Sequence, residues 1–282
     1  MKLGARSKRI DLRRVVSALW LAAAASACKP GVLDAVAVNP NTLTQDLVAH
    51  YTFDEGQGTA VLDHSGNKRD GVLTGGTWIT DGGAFGGALH FGGTDFVTVD
   101  KFPNAAPSFS ASLWLRAIDA PLDGYETVLS TEVVFQSGWE VNIIKITPGT
   151  VIEPAFWDSP GDAGIDAGAD GEAAGDAHDE SGAPSGYART DCTCLAPDTW
   201  THLVVVVDAS DQTLTLYVQA VPVATVPALY PILPGTPELL MGRWSGNSRF
   251  LVGDLDDVAI YNRALAPAEI SELQNHPPPD AP

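Results

Sequence analysis

The stretch FSASLWLRA, residues 109–117, alternates between apolar side chains and a mixed set of polar and aromatic ones. Successive side chains of a β-strand point to opposite faces, so this alternation predicts a strand with one buried face. The apolar face consists of Phe109, Ala111, Leu113 and Leu115. We expect it to enter a core between two sheets, where each leucine stabilises the fold by roughly 1.5–3 kcal/mol. Trp114 then points to the outer surface.

Apolar runs of this kind recur along most of the chain. About ten of them lie between Leu47 and Tyr261, separated by Gly, Asp and Asn, and no β-α-β rhythm is visible. The run LVVVV at 203–207 does not alternate, which predicts a central strand covered on both faces. The one helix signal is APAEISELQ at 266–274. Together these features predict an all-β fold, a two-sheet antiparallel jelly-roll sandwich with a short C-terminal helix.

The N-terminus has the features of an export signal. A basic stretch precedes the apolar run VVSALWLAAAASAC, which is too short to cross a bilayer and ends in small residues. We expect residues 1–27 to be a signal peptide. The ending ASAC resembles a bacterial lipobox and makes Cys28 the candidate lipid anchor, although Ala25 stands where that motif prefers Leu. Ordinary cleavage near Ala27 is the alternative, and residues 28–46 are interpreted as the anchor cysteine and a linker.

Charge excludes one class of partner. The formal net charge is −19, and beyond residue 27 the chain has 10 basic and 34 acidic residues. Such a surface repels phosphate backbones, so we expect no nucleic-acid partner and membrane contact only through a lipid anchor. The predicted location is the cell envelope or the outer membrane as a lipoprotein, or otherwise the secreted fraction.

Two further segments interrupt the strand pattern. Residues 160–186 contain seven acids, no Lys or Arg and no Phe, Trp or Tyr, which predicts a disordered acidic insertion. Residues 276–282, HPPPDAP, form a tail that cannot continue a helix. Cys192 and Cys194 follow the insertion, and in an exported protein we expect them to form a disulfide; free thiols are the alternative.

Several motifs, taken in order, resemble one family. LVAHYTFDEGQGTAVLDHSGNKRDG, GGALHFGGTDFVTV, FSASLWLRA, TWTHLVVVVD and GDLDDVAIYNRALAPAEI are similar to the bacterial laminin G-like (concanavalin A-like lectin/glucanase) jelly-roll domains. The resemblance runs from about Leu47 to Leu273, and we expect the jelly-roll domain to span residues 47–275. It implies two curved sheets, a concave face open to ligands, and one calcium ion. The chain departs from the family at Gln219-Ala220, where members turn with Asp-Gly, so we expect a longer or differently built turn there.

The expected function is a non-catalytic binding module of the cell envelope, either carbohydrate-binding or adhesive. A polysaccharide or a surface protein is the expected partner, and the candidate platform residues are Trp114, Trp139, Trp157 and Trp244. The alternative is a structural or protein-interaction jelly roll that does not bind sugar. A glycan-active hydrolase is a further alternative. Glucanase relatives carry two glutamates on one strand, whereas Glu126, Glu132 and Glu140 are spaced six and eight apart, so we expect no enzyme activity.

The acids of GDLDDVAIY, residues 253–261, raise the question of a metal. Alternation places Asp256 and Asp257 on opposite faces of the strand. The resemblance to calcium-binding glucanases matches Asp256 to their calcium-ligating aspartate, and it places carbonyl ligands near Asp54 and Gly93. Ca²⁺ bound there is expected to be structural. The alternative is that Asp256 only accepts backbone hydrogen bonds, and Asp63 and Asp70 in the loop DHSGNKRD are rival ligands if a site exists elsewhere. Asp254 and Asp257 are expected to stay solvated.

Overall fold

A computed structural model of the chain describes residues 40–118, 124–132, 137–145, 150–157, 195–228 and 232–280. These residues form an all-β sandwich of two antiparallel sheets with one short helix, as the alternating pattern predicted. Within these ranges no helix is long and apolar enough to span a membrane.

The two sheets have eight and seven strands. The eight-stranded sheet runs in the order β13-β12-β11-β7-β15-β5-β4, with β1 also paired to β15. Its strands are β1 (Leu47–Tyr51), β4 (Thr77–Ile79), β5 (Ala88–Gly92), β7 (Phe109–Ala117), β11 (Trp200–Asp208), β12 (Thr213–Val218), β13 (Val221–Pro227) and β15 (Val252–Tyr261). The seven-stranded sheet runs in the order β10-β9-β8-β14-β6-β3-β2. Its strands are β2 (Ala60–Val61), β3 (Gly71–Thr74), β6 (Phe96–Asp100), β8 (Gly124–Ser130), β9 (Gly138–Lys145), β10 (Thr150–Trp157) and β14 (Glu238–Met241).

The main core lies between the sheets, and β7 contributes the face that its sequence predicted. Phe109, Ala111, Leu113 and Leu115 are all buried in this inter-sheet core. The central position of β11 is also confirmed, because Val205 faces the inter-sheet core while Val204 faces a second cluster on the outer side.

The second cluster packs the C-terminal helix α1 (Pro267–Leu273) onto the outer face of the eight-stranded sheet. Ile270 and Leu273 of the helix are buried against Tyr261 of β15. Leu43, in a 3₁₀ turn at Pro40–Thr44, is 1% exposed in the same cluster. Packed structure therefore begins before Leu47, inside the segment that we interpreted as linker.

The turn between β12 and β13 corrects the expectation from the sequence. Val218 pairs with Val221, which leaves only Gln219 and Ala220 in the loop. Both have positive φ, 52° and 58°, as a tight type I′ hairpin turn requires. The turn is therefore as short as the family's Asp-Gly turn, and Ala220 occupies a conformation that L-residues other than Asn and Asp disfavour.

We predict that Ala220→Gly raises the free energy of unfolding by about 0.5–1 kcal/mol, because glycine adopts positive φ without the steric cost that a Cβ brings. The measurement is urea unfolding at equilibrium. The matched control is Ala224→Gly within β13, which lacks the positive φ and should lose about 0.5–1 kcal/mol. A stability loss of similar size in both variants would show that the turn at Ala220 is unstrained.

Candidate functional site

Polar and aromatic side chains cover the outer face of the seven-stranded sheet. Leu129, Val141 and Ile143 face the inter-sheet core, so alternation places their polar neighbours on the opposite face. The residues of that outer face are Phe96 and Thr98 from β6, Tyr125, Thr127 and Ser130 from β8, and Glu140 and Asn142 from β9. The face is therefore distinct in chemistry from the helix-covered face of the other sheet.

Arg249 lies between two aromatic rings at this face. Its Cζ is 4.9 Å from the centroid of the Tyr125 ring and 4.6 Å from that of Trp244. The carbonyl of Arg249 accepts a hydrogen bond of 2.8 Å from the amide of Thr127, which fixes the loop 242–251 to β8. Tyr125 is 38% exposed, so the stack offers solvent a flat ring beside a guanidinium group.

The same loop supplies a second guanidinium and ring pair. Arg243 Cζ lies 4.0 Å from the Phe96 centroid, and the Phe250 ring is 6.5 Å from Phe96. The Nη1 of Arg243 donates to Asn247 Oδ1 at 2.6 Å. Two planar stacks with hydrogen-bond donors thus lie on one face.

Behind the Arg249 stack lies a pair of buried carboxyl groups. Glu132 and Glu140 are 0% and 3% exposed, and their side chains hydrogen-bond to each other, which requires one of them to carry a proton. Burial raises the pKa of Glu140 well above its usual value, with the adjacent Glu132 as the next cause. Asn142 Nδ2 donates to Glu140 Oε1 at 2.6 Å, and Trp244 Nε1 donates to Glu132 Oε2. The network anchors Trp244 beneath Arg249.

This carboxyl pair does not have the geometry of a glycosidase. Retaining enzymes hold their two carboxyl groups about 5–5.5 Å apart, and inverting enzymes hold them farther apart. Glu132 and Glu140 are in direct hydrogen-bonding contact, which leaves no room for a glycosidic bond between them. What the pair does in this structure is hold the Trp244 indole, whose Nε1 donates to Glu132.

The four predicted platform tryptophans do not form one surface. Trp244 belongs to the site just described, whereas Trp114 lies on the outer face of the eight-stranded sheet, with Phe85 at 5.7 Å and His202 at 5.1 Å between ring centroids. Trp139 is 3% exposed in the inter-sheet core, 5.1 Å from the Phe109 ring. It fills core volume and is removed from the candidate platform. Trp157 is the last residue of β10, and its side chain lies outside the described residues.

Two of the three predicted calcium residues bind the same loop. Asp256 Oδ2 accepts from Phe85 N at 2.8 Å, and Asp54 Oδ1 accepts from Gly87 N at 2.6 Å. Both carboxylates therefore hold the loop 81–87. Gly93 is at the opposite end of β5, where its amide donates to Leu251 O, about 16 Å along the strand from the position opposite Asp256. The structure does not bring Gly93 to this site.

Asp256 has an unusual environment. It is 0% exposed, and its Oδ1 has no hydrogen-bond partner among the described residues. Burial raises the pKa of this carboxyl to about 8, with a smaller contribution from the neighbouring Asp257. The residues that precede Asp54 and follow Asp256 in sequence, Phe53 and Asp257, both have positive φ, at 54° and 49°. Each of the two carboxylates therefore has a neighbour in the chain with a strained backbone.

The expectation that Asp254 and Asp257 stay solvated is wrong. They are 2% and 4% exposed, and each pairs with side chains from other strands. Asp257 Oδ1 lies 2.6 Å from His50 Nε2, and Asp254 lies 2.7 Å from His90 Nδ1. The strand itself contains no basic residue, so its sequence alone gave no sign of these partners.

Some predicted features fall outside the described residues. These are the signal peptide, Cys28, the acidic insertion at 160–186, and the cysteines at 192 and 194. Their assignments stay predictions.

Sequence reasoning missed Tyr125, Arg243 and Arg249 as site residues. The signal that could have found them is the composition of GRWSGNSRF, residues 242–250, which places two arginines and two large aromatic residues in one nine-residue loop. Glu140 could have been found as the only acid in the strand WEVNIIK, between the large apolar residues Trp139 and Val141.

The geometry of two packed antiparallel sheets agrees with a family match. A model of the concanavalin A-like lectin/glucanases superfamily (Laminin_G_3) matches residues 91–271, and the chain belongs to this family. A comparison with curated proteins gave no match.

Several solved structures share this fold at low sequence identity. Domain 4 of AbnA, a GH43 extracellular arabinanase from Geobacillus stearothermophilus solved with arabinotriose, has a TM-score of 0.55 and 18% identity over 82% of this chain and 98% of that domain. The binding domain of Paraclostridial Mosquitocidal Protein 1 has a TM-score of 0.60 and 17% identity over 83% of this chain. The ligand-binding domain of botulinum neurotoxin serotype D, solved with N-acetylneuraminic acid, has a TM-score of 0.57 and 12% identity over 83% of this chain. The chain spans about half of each toxin domain, 52% in both cases.

Proposed function

We propose that the chain is a non-catalytic glycan-binding module whose binding surface is the outer face of the seven-stranded sheet. The observation that carries this proposal is the stack of Tyr125, Arg249 and Trp244, supported from behind by the Glu132 and Glu140 pair. A sugar ring has apolar C–H faces and hydroxyl groups at its edge. An exposed aromatic ring beside guanidinium donors offers both kinds of contact in one plane.

The similar structures support this proposal without defining the ligand. Two of them were solved with a carbohydrate, arabinotriose in one case and N-acetylneuraminic acid in the other. A strongly acidic chain, with net charge −19, repels polyanions, so we favour a neutral glycan.

The experiment is a glycan array probed with residues 29–282, followed by calorimetric titration of each glycan that binds. We expect binding to one or more neutral glycans, with micromolar to millimolar dissociation constants. No binding to any glycan on the array would contradict the proposal and leave the protein-interaction jelly roll. That alternative is favoured by one observation, the separation of Trp114 and Trp244 onto different sheets.

We further propose a structural Ca²⁺ at Asp256. The donor chemistry fits, because the buried Asp256 Oδ1 lacks a hydrogen-bond partner among the described residues, and Asp54 binds the same loop two residues further along. A hard cation prefers carboxylate and carbonyl oxygens of this kind. An ion at Asp256 compensates the cost of ionising a buried carboxyl.

We predict that calcium at ten times its dissociation constant stabilises the native protein by about 1.4 kcal/mol. For a domain of this size that corresponds to a rise in Tm of about 3–6 °C. The measurement is thermal unfolding with calcium and with chelator, for wild type and Asp256→Ala. The matched control is Asp211→Ala, an exposed acid that should keep the full calcium response. A wild-type Tm that chelator leaves unmoved would show that Asp256 serves only its backbone hydrogen bonds.

For location, we propose that the protein is exported and anchored through Cys28. The support is the sequence of residues 1–28 alone. The wild-type protein should partition into the detergent phase, and Cys28→Ala should release it to the aqueous phase. Mature wild-type protein that starts at Cys28 without lipid would contradict the anchor.

A further inference from the structure

One row of side chains crosses the outer face of the eight-stranded sheet beyond the area that α1 covers. Strand register places these residues side by side on five adjacent strands. The row consists of Trp200 on β11, Arg116 on β7, Asp254 on β15, His90 on β5 and Thr77 on β4.

The buried Asp254 carboxylate holds the row in place. It accepts from Arg116 Nε at 2.6 Å and lies 2.7 Å from His90 Nδ1, while its own side chain is 3% exposed. Both basic side chains are partly exposed, Arg116 by 27% and His90 by 34%. Each basic side chain contacts Asp254 through one of its nitrogens. The other side-chain nitrogens of Arg116 and His90 have no hydrogen-bond partner in the described parts of the chain.

Trp200 completes the row with a fixed indole ring. Arg116 Cζ lies 4.9 Å from its centroid, and its Nε1 donates to Gly82 O at 3.0 Å. The ring is partly exposed. The indole ring is already held in place, so it loses little side-chain entropy when a ligand binds. The free nitrogens of the guanidinium and imidazole groups lie beside it.

We propose that this row is a second glycan-binding surface, on the opposite side of the sandwich from the first. The ligand is a neutral sugar ring whose hydroxyls contact the free nitrogens of Arg116 and His90, while its C–H face contacts Trp200. A neutral ligand fits because Asp254 already balances the charge of Arg116. Two surfaces on opposite faces allow one protein molecule to bridge two polysaccharide chains. The row extends the proposed function, but it rests on residues that the first surface does not use.

The test is affinity electrophoresis of the folded protein in gels that contain arabinan, xylan, mixed-linkage β-glucan or polygalacturonate. For the polysaccharide that retards the wild type, we expect Trp200→Ala and His90→Ala each to weaken binding about tenfold. A variant that combines Trp200→Ala with Tyr125→Ala should lose retardation. The matched control is Val223→Ala, an exposed apolar residue on the edge strand β13, which contributes neither to the row nor to the outer face of the seven-stranded sheet. Far-UV circular dichroism and Tm must match the wild type, and Trp200→Tyr, which keeps an aromatic ring, should restore most of the binding.

The outcomes separate the two proposals. If only Tyr125→Ala weakens polysaccharide binding, and Trp200→Ala and His90→Ala do not, the second surface is overturned and the first remains. If only Trp200→Ala and His90→Ala weaken binding, and Tyr125→Ala does not, the row is established and the first surface is overturned. Retardation only by polygalacturonate would overturn the neutral-sugar assignment, and no retardation in any gel would overturn both.

Discussion

Replacing Asp257 by alanine should lower the free energy of unfolding by about 3–5 kcal/mol. The reason is that Asp257 and His50 form a buried pair, 2.6 Å apart, that ties β15 to β1. Removing one member of a buried polar pair leaves the other without its partner and away from water. Asp257 also sits at a β-bulge with φ of 49°, where aspartate is tolerated better than alanine.

Two comparisons make this prediction specific. Asp257→Asn should lose clearly less stability, because asparagine accepts positive φ and its amide oxygen can still accept from His50. Asp211→Ala, at an exposed acid, should change stability by less than about 0.5 kcal/mol. Urea unfolding measures all three. A loss below about 1 kcal/mol in Asp257→Ala would mean that the pair with His50 contributes little.

Acid should destabilise the protein through His202. Burial lowers the pKa of this histidine to about 4, because its ring is 1% exposed, beside Trp114 and bonded to Ser112 at 2.9 Å. The native pKa is below the unfolded value of about 6.5, so the unfolded state binds the proton more tightly. The stability that His202 contributes is complete above about pH 6.5 and falls as the pH drops toward 4, by up to about 3 kcal/mol.

The measurement is urea unfolding at pH 7 and pH 4.5, for wild type and His202→Gln. Glutamine can keep the hydrogen bond to Ser112 but does not titrate. We expect the free energy of unfolding of His202→Gln to fall less than that of the wild type between pH 7 and pH 4.5, because the contribution of His202 is removed. The matched control is His276→Gln, an exposed histidine in the C-terminal tail, which should keep the wild-type pH dependence. Equal pH dependence of wild type and His202→Gln would contradict the assignment.

The fold could be predicted from sequence because side-chain alternation is a local property. Phe109 to Ala117 specified both the strand and its buried face, and LVVVV specified a strand covered on both sides. The sequence predicted about ten strands, whereas the described residues form fifteen, because alternation does not show in strands as short as β2, β3 and β4. The edge strand β10 was difficult to predict for another reason. Strand β10 contains Pro154, which argues against a strand in the middle of a sheet but is tolerated at an edge.

The site was harder to predict, because its contacts join residues that are distant in sequence. Arg249 meets Tyr125 only because β14 pairs with β8, and no local pattern shows that pairing. The same holds for Asp254 and Asp257, whose partners come from β1, β5 and β7. Trp139 was misplaced for a different reason. An aromatic residue at the start of a strand can face either way, and here Gly138 precedes it with φ of 91°.

The proposed glycan site on the outer face of the seven-stranded sheet depends on Tyr125 and Arg249. We would titrate one array-selected oligosaccharide by calorimetry into wild type, Tyr125→Ala, Arg249→Ala and the control Val223→Ala, an exposed valine on β13 of the other sheet. We predict that Tyr125→Ala and Arg249→Ala each weaken binding at least tenfold, or by about 1.4 kcal/mol, while Val223→Ala binds as the wild type does. Wild-type affinity in both Tyr125→Ala and Arg249→Ala would show that this face does not bind the glycan.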